Sequence, residues 1–133
     1  MSQENVEIVQ RAYEAFSRGD RDAAVADVAP DFEYVASGAI PGATGNYRGP
    51  EGFKRFTEWL LDQFDDVRVE LTEVMEAGDH VVVRATSRGR GKRSGAETTW
   101  DSWQVWTLRD GKAVRGEGFT SKEEALEAAG LRK

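Results

Sequence analysis

The chain has 133 residues, a formal net charge of −6 and a 39% share of hydrophobic side chains, which suits one folded domain with a radius of gyration of about 14 Å and excludes a disordered chain. It has no Cys and a single His, His80, so a disulfide framework, a thiolate nucleophile and a metal site built on several imidazoles are excluded, and no metal site is expected. No stretch approaches the roughly 20 apolar residues of a membrane span, the start MSQENVEIVQ lacks the basic end and apolar run of a signal peptide, and the acidic balance disfavours nucleic acid as a partner.

A single domain over 1–133 and a cytoplasmic location are therefore expected. Val6, Val9, Tyr13 and Phe16 recur at spacings of three and four, which predicts a first helix with one apolar stripe. Ser2 is placed to cap it, and Arg18-Gly19 to close it. Asp20 is placed to cap a short second helix through Ala23, Ala24, Val25 and Val28, ending near Pro30. Asp31 to Ala36 reads as a short strand, and Ser37 to Gly49, rich in Gly, Pro, Ala and Thr, as a loop. Pro50 opens a third helix whose broad apolar face holds Phe53, Phe56, Trp59, Leu60 and Phe64.

From Val67 the period changes to two. Strands are expected from Val67 towards Met75, from His80 to Arg90, from Glu97 to Leu108 and from Lys112 to Phe119. Gly78-Asp79 and Asp110-Gly111 supply turns, and Arg88 to Ala96 reads as a long hairpin tip. Ser121 with Glu124 is a capping-box pattern for a short terminal helix. The order predicts an α+β domain with helices on one face of an antiparallel sheet.

The segments ENVEIVQRAYEAFSRGD, APDFEY, YRGPEGFKRF and VWTLRDGKAVRGEGFTSKEEALEAAG, in that order, resemble the SnoaL-like polyketide cyclase group of the nuclear transport factor 2-like superfamily, which also holds the ketosteroid isomerases. The resemblance implies a cone-shaped, curved antiparallel β-sheet wrapped around N-terminal helices, with an apolar pocket at its open end. It also implies a homodimer formed through the outer sheet face. Ketosteroid isomerases use a carboxylate base with a Tyr and a protonated Asp as donors. By counting from the shared turns, those positions correspond here to Ala36, Ala12 and Gln104. None of the three has the required chemistry, since Ala accepts no proton and Gln has no useful pKa.

What remains for the pocket is aromatic and neutral. Alternation places Trp100, Ser102, Gln104 and Trp106 on one face of their strand, with Asp101, Trp103 and Val105 on the other. The same parity turns Phe32, Tyr34 and Ala36 inward, and Gly116 and Gly118 beside Val114 and Thr120. Tyr13, Tyr34, Trp59, Trp100, Ser102, Gln104 and Trp106 are the candidate ligand-binding residues, suited to a flat apolar ligand with one or two polar groups. A filled cone, with these rings as plain core, is the competing reading.

Asp101 is the candidate catalytic carboxylate: buried, it would have a raised pKa and serve as general acid or base. The alternative is an outward Asp101 paired across strands with Arg84 or Arg88. Tyr47 falls where a loop would cover the pocket mouth, and His80 in a solvated turn. The basic run Arg88, Arg90, Lys92 and Arg93 has no interleaved aromatic to stack bases and reads as a solvated hairpin. Three functions remain open. They are a cofactor-independent isomerase, cyclase or hydrolase of a polyketide- or steroid-like molecule, a non-catalytic binder of a small apolar molecule, and a dimerisation module with a filled cone.

Overall fold

The apolar stripe of the first segment forms α1 (Ser2–Ser17) in a computed structural model that describes residues 2–37, 40 and 42–131. Asp20 caps α2 (Arg21–Ala24), its carboxylate accepting the Ala23 N–H at 3.1 Å. This helix is one turn long, shorter than expected, because Val28 and Pro30 belong to β1 (Val28–Ser37). Val28 pairs with Ala113, and the register shifts before Glu33. That irregular stretch accommodates Pro30, which has no N–H to give to a ladder.

The expected loop from Ser37 to Gly49 contains a strand, β2 (Thr44–Arg48), antiparallel to β1 at the sheet edge. Residues 38, 39 and 41 of that loop lie outside the described residues. Apart from the half-buried Tyr47, β2 is exposed, so it carries no alternation to read. Helix α3 (Gly49–Gln63) has Pro50 in its first turn and buries Phe56, Thr57 and Leu60.

Four long strands complete the sheet: β3 (Phe64–Ala77), β4 (His80–Gly91), β5 (Glu97–Arg109) and β6 (Lys112–Phe119). Asp110 and Gly111 join the last two with φ of 54° and 77°, the positive values a two-residue hairpin turn demands. The curved sheet has the order β2-β1-β6-β5-β4-β3. Every neighbouring pair is antiparallel except β1 with β6, which run parallel.

Alternation along β4 divides the packing. Val81 and Val83 face Ile8, Val9 and Phe56 of α1 and α3, together with Phe32, Tyr34, Trp106 and Leu108. Val82 faces the other way, and with Trp103 and Val105 it packs against Ala125 and Ala129, from α4 (Lys122–Ala128) and the residue that closes it. The helices therefore occupy both faces of the sheet, where the element order alone suggested one. Ser121 caps α4 by accepting the Glu124 N–H at 3.2 Å.

The basic hairpin is shorter and more strand-like than expected. Arg88 and Arg90 lie on β4, and Lys92 is pinned to the end of α3, its Nζ donating to the Leu61 carbonyl at 2.8 Å. Arg90 is paired with Asp66 at 3.3 Å.

Candidate ligand cavity

A cavity of about 380 Å³ lies between α1, α3 and the concave face of the sheet. The volume falls within the range of small-molecule sites. Inward-facing Trp100, Ser102, Gln104 and Trp106 of β5 line it, with Ala85 and Ser87 of β4, Tyr34 of β1 and Ala12, Tyr13 and Ala15 of α1. The charged lining residues are Arg11, Glu14, Arg18 and Asp27, on the solvent-facing side where α1 meets the chain entering β1. Arg11 and Asp27 pair there at 3.4 Å.

The cavity's deep wall is neutral and internally hydrogen-bonded. The Tyr34 hydroxyl donates to Gln104 Oε1 at 2.8 Å, and Gln104 Nε2 donates to Ser102 Oγ at 3.0 Å. All three side chains are nearly fully buried, so this chain satisfies groups that would be costly to leave unpaired. On the α1 side, Trp106 Nε1 donates to the Tyr13 hydroxyl at 3.1 Å. Burial raises the pKa of both Tyr13 and Tyr34 above the ordinary phenol value, and keeps both protonated through the physiological range.

Trp106 is held in place by rings and by a missing side chain. It stacks with Phe32 and Tyr34 at centroid distances of 6.3 and 5.7 Å. Gly116, opposite it on β6, lets the indole lie directly on the strand, since a Cβ there would fall 2.4 Å from a Trp106 ring carbon. On β6 the inward parity changes at a bulge between Thr107 and Leu108, so Ala113 joins the core in place of the expected Val114.

Six of the seven candidate binding residues thus meet at one cavity. Trp59 lies apart, stacked on Phe56 at 6.1 Å and beside Gly42. Asp101 lies on the opposite face of β5 from the cavity. Its carboxylate accepts from Arg84 at 2.6 Å, with 43% of its side chain exposed. The hydrogen bond from Arg84 holds its pKa below the usual carboxylate range. Of the positions counted from the isomerases, Ala12 and Gln104 line the cavity, and Ala36 sits in the adjoining core.

Tyr47 packs on Phe56 at 5.0 Å, as part of β2. His80 opens β4 with Nδ1 3.0 Å from Thr107 Oγ1. No group of three or more metal-ligating side chains occurs among the described residues. Ser87 went unnoticed in the sequence, although the inward alternation of Ala85, Ser87 and Gly89 on β4 was available to mark it.

Helices enclosed by a curved six-stranded sheet of this kind define a nuclear transport factor 2-like, ketosteroid isomerase-like protein. Residues 9–116 match the model of the SnoaL-like domain, and the chain belongs to that family. No curated protein sequence matches it.

Among solved structures, the chain is similar to TerC, co-crystallised with polyporic acid, at 29% identity and a TM-score of 0.78, over 96% of this chain and 98% of that one. A nuclear transport factor 2-like protein from Burkholderia pseudomallei is 27% identical, with a TM-score of 0.79 and coverage of 96% and 97%. A putative SnoaL-like polyketide cyclase from Jannaschia shares the fold at 23% identity, with a TM-score of 0.78 and coverage of 99% and 94%.

Proposed function

We propose that the chain binds a compact, largely apolar organic molecule in the cavity between α1, α3 and the sheet. One observation carries this reading: a cavity of about 380 Å³ remains open among packed aromatic rings, with polar groups converging on it. A filled cone would leave no such volume, which favours a binding role over the interaction-module reading. The similarity to TerC, co-crystallised with polyporic acid, a small organic molecule, agrees with this reading.

Acid–base catalysis through Asp101 is not part of this proposal, because its carboxylate is on the far side of the strand and engaged by Arg84. A homodimer through the outer sheet face belongs to the same reading. Part of that face is covered by α4, and the Arg84–Asp101 pair lies exposed on it. Light scattering tests it by giving the mass of one chain or two.

Trp100 and Trp106 line the cavity, so intrinsic fluorescence reports its occupation. Titration with steroids, aromatic polyketides, terpenoid epoxides, fatty acids and polyporic acid is expected to give saturable quenching with at least one class. That quenching should disappear in Ala12→Phe, which places a ring in the cavity. Silence from every class would refute the proposal.

A further inference from the structure

The polarity of the hydrogen bonds around the cavity restricts what can occupy it. Tyr13 Oη already accepts from Trp106 Nε1, so the tyrosine's own proton is left to donate. Ser102 Oγ likewise accepts from Gln104 Nε2, and its hydroxyl proton is left to donate. Gln104 has Oε1 engaged by Tyr34 and one amide proton engaged by Ser102. It therefore acts as a positioning residue that fixes the direction of the chain from Tyr34 to Ser102.

The line of donation thus runs out of the protein at two hydroxyls, Tyr13 on α1 and Ser102 on β5, both of which line the cavity. Neither hydroxyl ionises in the physiological range: Tyr13 has its pKa raised by burial, and a serine hydroxyl carries no charge.

We infer that Tyr13 and Ser102 are the ligand-orienting donors of this cavity, and that they select neutral ring compounds bearing carbonyl or quinone oxygens over hydrocarbons of the same shape. The inference rests on the proposal that the cavity binds a small molecule, and it adds which chemical group is read and by which residues. A carbonyl oxygen loses its water on entering an apolar cavity, and without a donor that loss makes the ketone the poorer ligand. With a donor already aimed by the protein, the same oxygen regains a hydrogen bond at no cost in ordering. The order of affinities between a ketone and its parent hydrocarbon therefore reports whether donors face the ligand.

The test uses α-tetralone and tetralin, a fused bicyclic ketone and its parent hydrocarbon, titrated into the intact protein by ligand-observed NMR. The expected result is tighter binding of α-tetralone, and a carbonyl stretch shifted to lower frequency in the bound ketone. In a Tyr13→Phe/Ser102→Ala variant the ketone's advantage should fall by at least about threefold, the equivalent of losing one ordinary hydrogen bond. Tetralin affinity should change less than α-tetralone affinity there, whereas a purely structural role for the two residues would weaken both alike. A Gln104→Leu variant should narrow the preference in the same way, with the larger change again in α-tetralone. Equal or tighter binding of tetralin by the wild-type protein would overturn the donor assignment and leave the cavity proposal standing. Binding of neither compound would overturn both.

Discussion

Replacing Gly116 by Ala tests how the cavity wall is built. An added Cβ would lie 2.4 and 2.7 Å from two ring carbons of Trp106 and 2.9 Å from a ring carbon of Tyr34. Carbon atoms settle at about 3.5–4.0 Å, so the indole must retreat by about 1 Å or more. The retreat disturbs its stacking on Phe32 and Tyr34 and its edge-on contact with Phe53 at 5.9 Å. The retreat also strains the 3.1 Å bond from Trp106 Nε1 to Tyr13.

Overpacking of this kind costs about 1–3 kcal/mol and a lost hydrogen bond about 1 kcal/mol, offset by up to about 1 kcal/mol from removing a strand glycine. The net expectation is a loss of about 2 kcal/mol. With an unfolding entropy of roughly 0.28 kcal/mol/K for a chain of this size, the midpoint should fall by about 7 °C in a circular dichroism melt. The same substitution made in a Trp106→Leu background should cost less than in the wild type, because the two shortest contacts are gone and only the 2.9 Å contact with Tyr34 remains. A Gly116→Ala protein melting within about 2 °C of wild type would refute the packing argument.

Three further outcomes follow from the same geometry. Asp101→Asn should leave ligand affinity unchanged. Its depressed pKa means that the pair with Arg84 stabilises the fold fully above the ordinary Asp value of about 4, with the effect lost as pH falls through the lower folded value. The stability gap between wild type and variant, measured by urea titration, should therefore be present at neutral pH and close in acid. Tyr13 and Tyr34 have the opposite sign: their raised pKa values stabilise the fold below about pH 10, and the contribution is lost as pH rises beyond it. Urea midpoints should fall steeply above about pH 10, and less steeply in Tyr13→Phe. Ser121→Ala should cost about 1 kcal/mol by the same method, since it removes the N-cap of α4.

The elements legible in the sequence are those with a strong apolar period. The alternation of Trp100, Ser102, Gln104 and Trp106 predicted one face, and that face lines the cavity. The Asp110-Gly111 turn predicted the last hairpin, where positive φ occurs at both residues. Strand β2 was not legible because its pairing is made by backbone groups while its side chains are largely exposed. The parallel run of β6 beside β1 was equally hidden, since alternation fixes faces and carries no direction. At the site, the residue types were readable, but the contact of Tyr13 with Trp106 joins positions 93 residues apart. Which hydroxyl is left free to donate depends on that contact.

The replacement of acidic and basic groups by neutral ones has a consequence for binding. At the position where the isomerases carry a donor Asp, a carboxyl would have to stay protonated to donate, and its donor strength would depend on pH. Gln104 donates an amide N–H to Ser102 Oγ at 3.0 Å at every pH, which leaves the Ser102 proton to donate to the ligand. Tyr13, held protonated by burial, supplies the second donor. The lining carboxylates, Glu14 and Asp27, stand at the solvent-facing side, where screening by water weakens their effect on a neutral ligand. Affinity for α-tetralone should therefore be flat from about pH 5 to about pH 9, between the ordinary carboxylate and phenol ranges. A sigmoidal step within that window would show that an ionising group meets the ligand, and would refute the assignment of the orienting role to the two hydroxyl groups alone.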